Sequence, residues 1–424
     1  ADRMPDVDQL KKNWAYVTEQ IEAGNIVSAW AVGFGGVAEA LCKMSFGNAF
    51  GVDVKIPENE LFDYSYGSIV VESEGSLDFE NAEYLGLVTS GVDDCLRINA
   101  KNIPMADLVE SAFAGYERVY PATSKPVMKR LLPKGAEGVK PYKAKKADLK
   151  YKGEKVAEPI AYLPVFPGTN CDYDTAKAFR KAGAKVEMSV FRNLTTQDIF
   201  DSIAEMKANI EKCHILAFCG GFSAGDEPDG SGKFIANVLN NKDIAEAIEG
   251  LIARGGLILG ICNGFQALVK SGLLPYGHLG CVTKDSPTLF RNDINRHISQ
   301  IACTRLATVN SPWLSGLKIG DTFSIAVSHG EGKFVVNEEL AKELFENGQV
   351  AFQYADPIDN AVTMESPYNP NGSYYAIEGI ISRDGRILGK MGHTERYENN
   401  LFKNIVSEKE QPLFDNAVRY FRGE

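Results

Sequence analysis

The sequence predicts an α/β protein: a doubly wound, mostly parallel sheet preceded by a smaller α+β domain. Three observations carry this reading. From residue 158 onward, short apolar runs alternate with stretches of helical period. Several runs end in glycine-rich segments, at the strand ends where such sheets gather ligands. At Cys262 the period changes from strand to helix within one residue.

Taken in order, "PIAYLPVF" reads as a strand and "DYDTAKAFRKAG" as a helix that Asp172 or Asp174 caps and Gly183 ends. "KVEMSVF" is the next strand, "TTQDIFDSIAEMKANIEK" a helix, "HILAFCGG" a strand, and "SGKFIANVLNNKDIAEAIEGLIARGG" is helical. Then comes "GLILGICNGFQALVKSGLL". Leu257, Ile258, Leu259 and Ile261 form a short apolar run of the kind buried on both faces of a sheet, and Phe265, Leu268 and Val269 resume at helical spacing. Gly260, Cys262 and Gly264 have the spacing of a nucleophile elbow, in which small flanking residues let a strained turn lift a reactive side chain over the sheet edge. A helix N-terminus there favours a thiolate. A cysteine after an apolar run is by itself an ordinary small core residue; the glycine spacing and the change of period turn the reading toward chemistry.

The bounds are broad. A chain of 424 residues, 44% hydrophobic, fills two or three domains. Its net charge of -11 argues against a general nucleic-acid surface. No apolar run is long enough to span a bilayer, and "ADRMPDVDQL" lacks the features of a signal peptide, so a soluble, cytoplasmic protein is expected. The eight cysteines are scattered without CxxC pairs, so neither a zinc site nor a disulfide framework is expected. The Lys-, Pro- and Gly-rich stretch that begins at Leu131 reads as a linker over residues 133–157, separating a domain at 1–132 from one at 158–424.

Three pieces meet at the carboxyl ends of strands: "FPGTNCD", "CGGFSAGDE" and "GICNGFQ". The backbone amides around Gly220, Gly221 and Phe222, joined by that of Asn263, suit an oxyanion hole. Among five histidines, His214 opens a strand far from this edge and His278 lies in a loop. His297 follows a polar loop, His329 follows an apolar run and can line a pocket, and His393 ends a short strand with Glu395 two residues on to hold its imidazole.

Together "PGTNCD", "GGFSAGD", "GICNGFQ" and "MGHTER" resemble the glutaminase domain of class I, Cys-His-Glu glutamine amidotransferases, over residues from about 158 to 424. More narrowly they resemble the C-terminal domain of the large phosphoribosylformylglycinamidine synthases of purine biosynthesis. The resemblance implies Cys262 as nucleophile, His393 as base and Glu395 as third member, with Gln266 and His329 as positioning residues. That family usually has Pro where this chain has Thr394, a departure that bears on turn stiffness. "VSAWAVGFGGVAEALCKMSFGNAFGVDV" followed by "ELFDYSYGSIVVES" resembles the carboxyl half of an aminoimidazole ribonucleotide synthetase-like ATPase module. The turn at Gly35-Gly36 lacks the acidic and hydroxyl residues that precede it in such modules.

The implied reaction hydrolyses glutamine to glutamate and ammonia, with no metal and no cofactor, for the ATP-dependent amidation of formylglycinamide ribonucleotide. ATP and magnesium then belong to the parent synthetase, at a site mostly outside this chain, which reads as a C-terminal fragment. The implied partners are glutamine and the rest of the synthase, with no nucleic acid and no membrane. Two other readings stand beside this one: a Cys-His gamma-glutamyl hydrolase or peptidase of similar fold, and a non-catalytic docking module.

Overall fold

The structure, a computed structural model, describes residues 6–47, 49–90, 95–123, 149–225, 231–403, 405 and 407–424. The expected linker at 133–157 lies, up to residue 148, outside the described residues. The chain divides into two compact units, Ala1–Ala122 and Thr123–Glu424.

The first unit is α+β. Helix α1 (Val7–Glu22) starts where the Asp6 carboxylate accepts the amides of Asp8 and Gln9. It is followed by β1 (Ile26–Ala31), α2 (Gly36–Phe46), β2 (Gly51–Val54), β3 (Ile69–Ser73), β4 (Gly86–Thr89), β5 (Cys95–Ile98), β6 (Lys101–Pro104) and α3 (Met105–Glu117). Strands β1 and β3 pair antiparallel, while β4-β2-β5-β6 form a second small sheet. Leu41, Val52, Val54, Ile56, Leu96, Ile98 and Met105 make the core. At the Gly35-Gly36 turn, Gly36 has φ +68 and a Cβ there would lie 2.7 Å from the Phe62 backbone, so only glycine fits. The Gly35 amide donates to the Glu39 carboxylate at 2.9 Å, so this turn already holds an anion of its own.

The second unit comprises β7 (Ile160–Val165), α4 (Asp172–Ala182), β8 (Lys185–Val190), α5 (Thr196–Lys212), β9 (Ile215–Phe218), α6 (Lys233–Leu239), α7 (Lys242–Ala253), β10 (Leu257–Ile261), α8 (Asn263–Ser271) and α9 (Leu273–Tyr276). It continues through β11 (Thr288–Phe290), β12 (Ile298–Leu306), β13 (Thr322–His329), β14 (Lys333–Val335), α10 (Glu338–Glu346), β15 (Val350–Tyr354), β16 (Ile377–Ile381), β17 (Ile387–Lys390) and α11 (Leu413–Arg422). Among the described residues one nine-stranded sheet runs β13-β12-β15-β16-β17-β10-β9-β7-β8. From β17 to β8 every neighbour is parallel; from β17 through β16, β15 and β12 to β13 every neighbour is antiparallel. The fold is thus α/β, with a doubly wound half and an antiparallel extension. All five residues of β10 are buried, as expected of a strand covered on both faces.

Two local expectations need correction. Neither Asp172 nor Asp174 caps α4: Cys171 occupies the cap position without a side-chain capping bond, and both carboxylates lie in the first turn. The stretch from Ser231 to Gly256 is two helices, because the Asn241 carboxamide accepts the amides of Asp243 and Ile244 and so starts α7 afresh. Gly183 does end α4, at φ +91.

Close packing at the β10–α8 corner requires glycine. A Cβ on Gly264 would lie 2.0 Å from the Phe218 carbonyl oxygen, and one on Gly260 would lie 2.7 Å from the Gly264 backbone. Gly264→Ala should therefore lose about 1–3 kcal/mol or more through overpacking. Gly250→Ala, on the exposed face of α7 and meeting only Arg254 at 3.7 Å, should gain stability instead. Denaturant unfolding of the two variants checks the contrast, and equal midpoints would contradict it.

Candidate active site

Strand β10 delivers Cys262 to the sheet edge. The Cys262 amide still donates to the Lys390 carbonyl of β17 at 2.9 Å, and the chain then turns at φ 52, ψ -106 into α8. That backbone is rare for a residue with a Cβ, and it puts the side chain at the corner while the glycines on either side clear space for the turn.

The adjacent strand delivers the histidine. Past the end of β17, the His393 amide donates to the Ala326 carbonyl at 2.8 Å, and a 3-10 turn at Thr394–Arg396 folds Glu395 back onto the imidazole. His393 Nδ1 lies 2.6 Å from Glu395 Oε1, and both side chains are buried. His393 Nε2 is also buried and has no hydrogen-bond partner among the described residues. The two strands meet around Gly220, where an added Cβ would lie 2.8 Å from His393 Cε1, 3.1 Å from Cys171 Sγ and 3.4 Å from Cys262 Cβ. Any side chain at 220 would therefore crowd the His393 ring, the Cys171 sulfur and the Cys262 side chain, which converge there. Burial opposes the charge on His393, but the Glu395 carboxylate, with the Cys171 and Cys262 sulfurs nearby, raises its pKa well above the ordinary imidazole value.

The expected oxyanion donors divide. Gly221 has φ +145, and its amide makes no hydrogen bond among the described residues. Phe222 must be withdrawn from the set, since its amide donates to the Gly168 carbonyl at 2.8 Å, tying this loop to the one after β7. Asn263 is the first residue of α8 after Cys262, and its side chain accepts the Ser223 amide at 3.2 Å. Gln266 acts as a strut: it accepts from Asn263 Nδ2 at 2.9 Å and donates to the Glu331 carbonyl at 2.6 Å. His329 is buried beside Ser328, whose carbonyl lies 3.7 Å from Cys262 Sγ. Asn371 Nδ2 donates to His329 Nε2 at 3.0 Å, which assigns the proton to Nδ1. Burial, then the charges of His393 and His297, push the His329 pKa down to about 3, so it stays neutral and is a poor base. His214 donates nothing here; its Nδ1 accepts the Ile160 amide at the opposite strand ends.

Sequence reasoning passed over two neighbours of His393. Cys171 Sγ lies 3.8 Å from His393 Nδ1 and accepts from Arg396 Nη2 at 3.2 Å. The signal was present, since "FPGTNCD" ends β7 at this edge and Arg396 follows Glu395. Ligand atoms of Cys171, His393 and Glu395 lie within 4.8 Å of one another, close enough for a soft divalent ion. The Arg396 guanidinium against the Cys171 sulfur opposes a second cation there.

Residues 158–421 match the model of the CobB/CobQ-like glutamine amidotransferase domain. The PurQ subunit of phosphoribosylformylglycinamidine synthase from Methanococcus maripaludis strain C5 is 36% identical over 274 residues, 60% of this chain and 95% of that protein. The corresponding subunit of Koribacter versatilis is 31% identical over 238 residues, 56% of this chain and 88% of its own length. Among solved structures, PurLQS from Thermotoga maritima aligns at 25% identity with a TM-score of 0.45, covering 62% of this chain and 99% of that one.

The electrostatics predict opposite behaviour for the buried histidines. NMR titration should find the His393 transition above the ordinary imidazole range, while His329, with its pKa pushed down to about 3, and His297 titrate below it. Glu395→Gln removes the anion that favours the imidazolium, so the His393 transition should move to lower pH. A His393 transition that ignores this substitution would contradict the assignment.

Proposed function

Because this chain belongs to the CobB/CobQ-like glutamine amidotransferase family over residues 158–421, we propose that Cys262, His393 and Glu395 are its nucleophile, base and orienting carboxylate. The chain is the glutaminase part of a phosphoribosylformylglycinamidine synthase, supplying ammonia to de novo purine biosynthesis. The observation that carries the site assignment is one juxtaposition: a cysteine held at φ 52 on a strand-to-helix corner, next to a buried histidine bonded to a carboxylate at 2.6 Å.

The chemistry follows from this geometry. Cys262 sulfur, its proton passed to His393, attacks the side-chain carbonyl carbon of glutamine, and the amides of Gly221 and Asn263 receive the oxyanion. His393 returns the proton to the departing nitrogen, ammonia leaves, and a glutamyl thioester remains on Cys262. His393 then takes a proton from water, whose oxygen attacks the thioester, releasing glutamate and restoring the thiol. Glu395 keeps the imidazole oriented throughout by accepting from Nδ1.

The ammonia goes to a synthetase partner that spends ATP on formylglycinamide ribonucleotide. We place that ATP and magnesium site mostly outside this chain. The one glycine turn of the first unit that resembles a phosphate cradle does not fit the role, because Glu39 already occupies the Gly35 amide.

Three outcomes are expected. A diazoketone analogue of glutamine should label Cys262 ahead of Cys171 and Cys219, read by peptide mass spectrometry. Cys262→Ser should abolish glutamine hydrolysis while the unfolding midpoint is retained, since the two side chains are nearly isosteric; labelling centred on Cys171 would overturn the assignment. Given ATP, ribonucleotide and ammonia, this chain should form no amidine, and robust synthesis would refute the division of labour. Release of glutamate from peptides or folate conjugates, with glutamine untouched, would instead favour a hydrolase of similar fold.

A further inference from the structure

Lys390, the last residue of β17, is fully buried, and its ammonium reaches three oxygens: the Gly392 carbonyl at 3.1 Å, Thr394 Oγ1 at 2.9 Å and Gln411 Oε1 at 2.9 Å. All three of its donors are therefore used. Its counter-charge is the equally buried Glu378 of β16, whose Oε1 stands 3.6 Å away and accepts the Gly392 amide at 2.6 Å. The Glu378 backbone carbonyl accepts the Met391 amide at 3.1 Å, and Thr394 Oγ1 donates onward to Gln411 at 2.5 Å. Both residues that flank His393 in the chain are thus gripped by one ion pair. A Cβ on Gly392 would lie 2.8 Å from Glu378 Oε1 and 3.2 Å from Lys390 Nζ, so the pair closes directly on the backbone. On its other side the Lys390 carbonyl accepts the Cys262 amide at 2.9 Å.

Burying two charges is seldom repaid in stability alone, because desolvation rivals the attraction between them. Here the bonds of the pair are spent on the turn that carries His393. We propose that Lys390 and Glu378 are positioning residues for the glutaminase reaction: they clamp the backbone on both sides of His393, with Thr394 as the third point of attachment, and so fix the imidazole against Cys262. This inference rests on the reading of His393 as the base. It assigns to the pair no contact with glutamine.

The test uses the full chain in three variants: Thr394→Val, Thr394→Ser, and the double change Lys390→Met with Glu378→Gln, which removes both charges together. Turnover is expressed per site titrated with the diazoketone, so that a loss of folded enzyme does not count as a loss of rate. A misplaced imidazole should lower kcat about 100-fold in the double variant and about five-fold in Thr394→Val, with KM for glutamine little changed, while Thr394→Ser keeps the wild-type rate. A second readout needs no turnover. The low-field proton resonance of the His393 Nδ1–Glu395 bond, assigned by its loss in His393→Gln, should shift or broaden in Thr394→Val and persist in Thr394→Ser.

Wild-type kcat per titrated site in both Thr394→Val and the double variant would overturn the clamp and leave a purely structural pair. Should the double variant fail to fold, Thr394→Val decides. A wild-type chain that hydrolyses no glutamine would overturn the glutaminase reading instead, and the resonance would still decide the clamp.

Discussion

The site depends on one backbone constraint, the forced turn at Cys262. A residue with a Cβ held at positive φ costs on the order of 1–3 kcal/mol, and surrounding structure must over-determine it. Three features do so here. The Cys262 amide is tied to the Lys390 carbonyl, α8 begins at the next residue, and glycines at 260 and 264 let the helix and β9 approach closer than any side chain permits.

Around that corner the electrostatics sort three neighbouring histidines into different states. His393 has a carboxylate bonded to its ring, which pushes its pKa up against the opposing effect of burial; His329 meets a neutral amide instead, and burial pushes its pKa down. His297 lies in the field of both Arg396 and His393, and after burial those charges lower its pKa further. The surroundings therefore favour the charged form on one ring and the neutral form on the other two.

Much of this was legible in the sequence because the signals are local. The elbow is written in a five-residue spacing, and the partner of His393 is two residues away, so the string of letters already holds the geometry of each. The parts that were not legible depend on residues distant in the chain. Phe222 looks like a free donor until Gly168, from another loop, takes its amide. Cys171 looks like one strand-end thiol among several until β7 and β17 bring it to His393 and Arg396. The antiparallel extension escaped notice because β12, β13, β15 and β16 lie between the elbow and His393, in a stretch with no alternation of strand and helix periods to announce a wound sheet. At Asn240-Asn241 the helical period continues across a boundary that only side-chain capping reveals.

Strands β10 and β17 run parallel and in register from Ile258 opposite Ile387 to Ile261 opposite Lys390. Cys262 thus follows directly on the last rung of this ladder and His393 lies just beyond it on the other strand, although a long stretch of chain separates them. Their spacing is inherited from this ladder and from the anchors at Ala326 of β13 and Glu378 of β16, so only the loops between those strands are free to lengthen, shorten or exchange their surface features without moving the two side chains. In evolutionary terms the chemistry is insulated from the decoration, and a lineage can refashion how such a glutaminase meets its partners while the pair of strands preserves what it does.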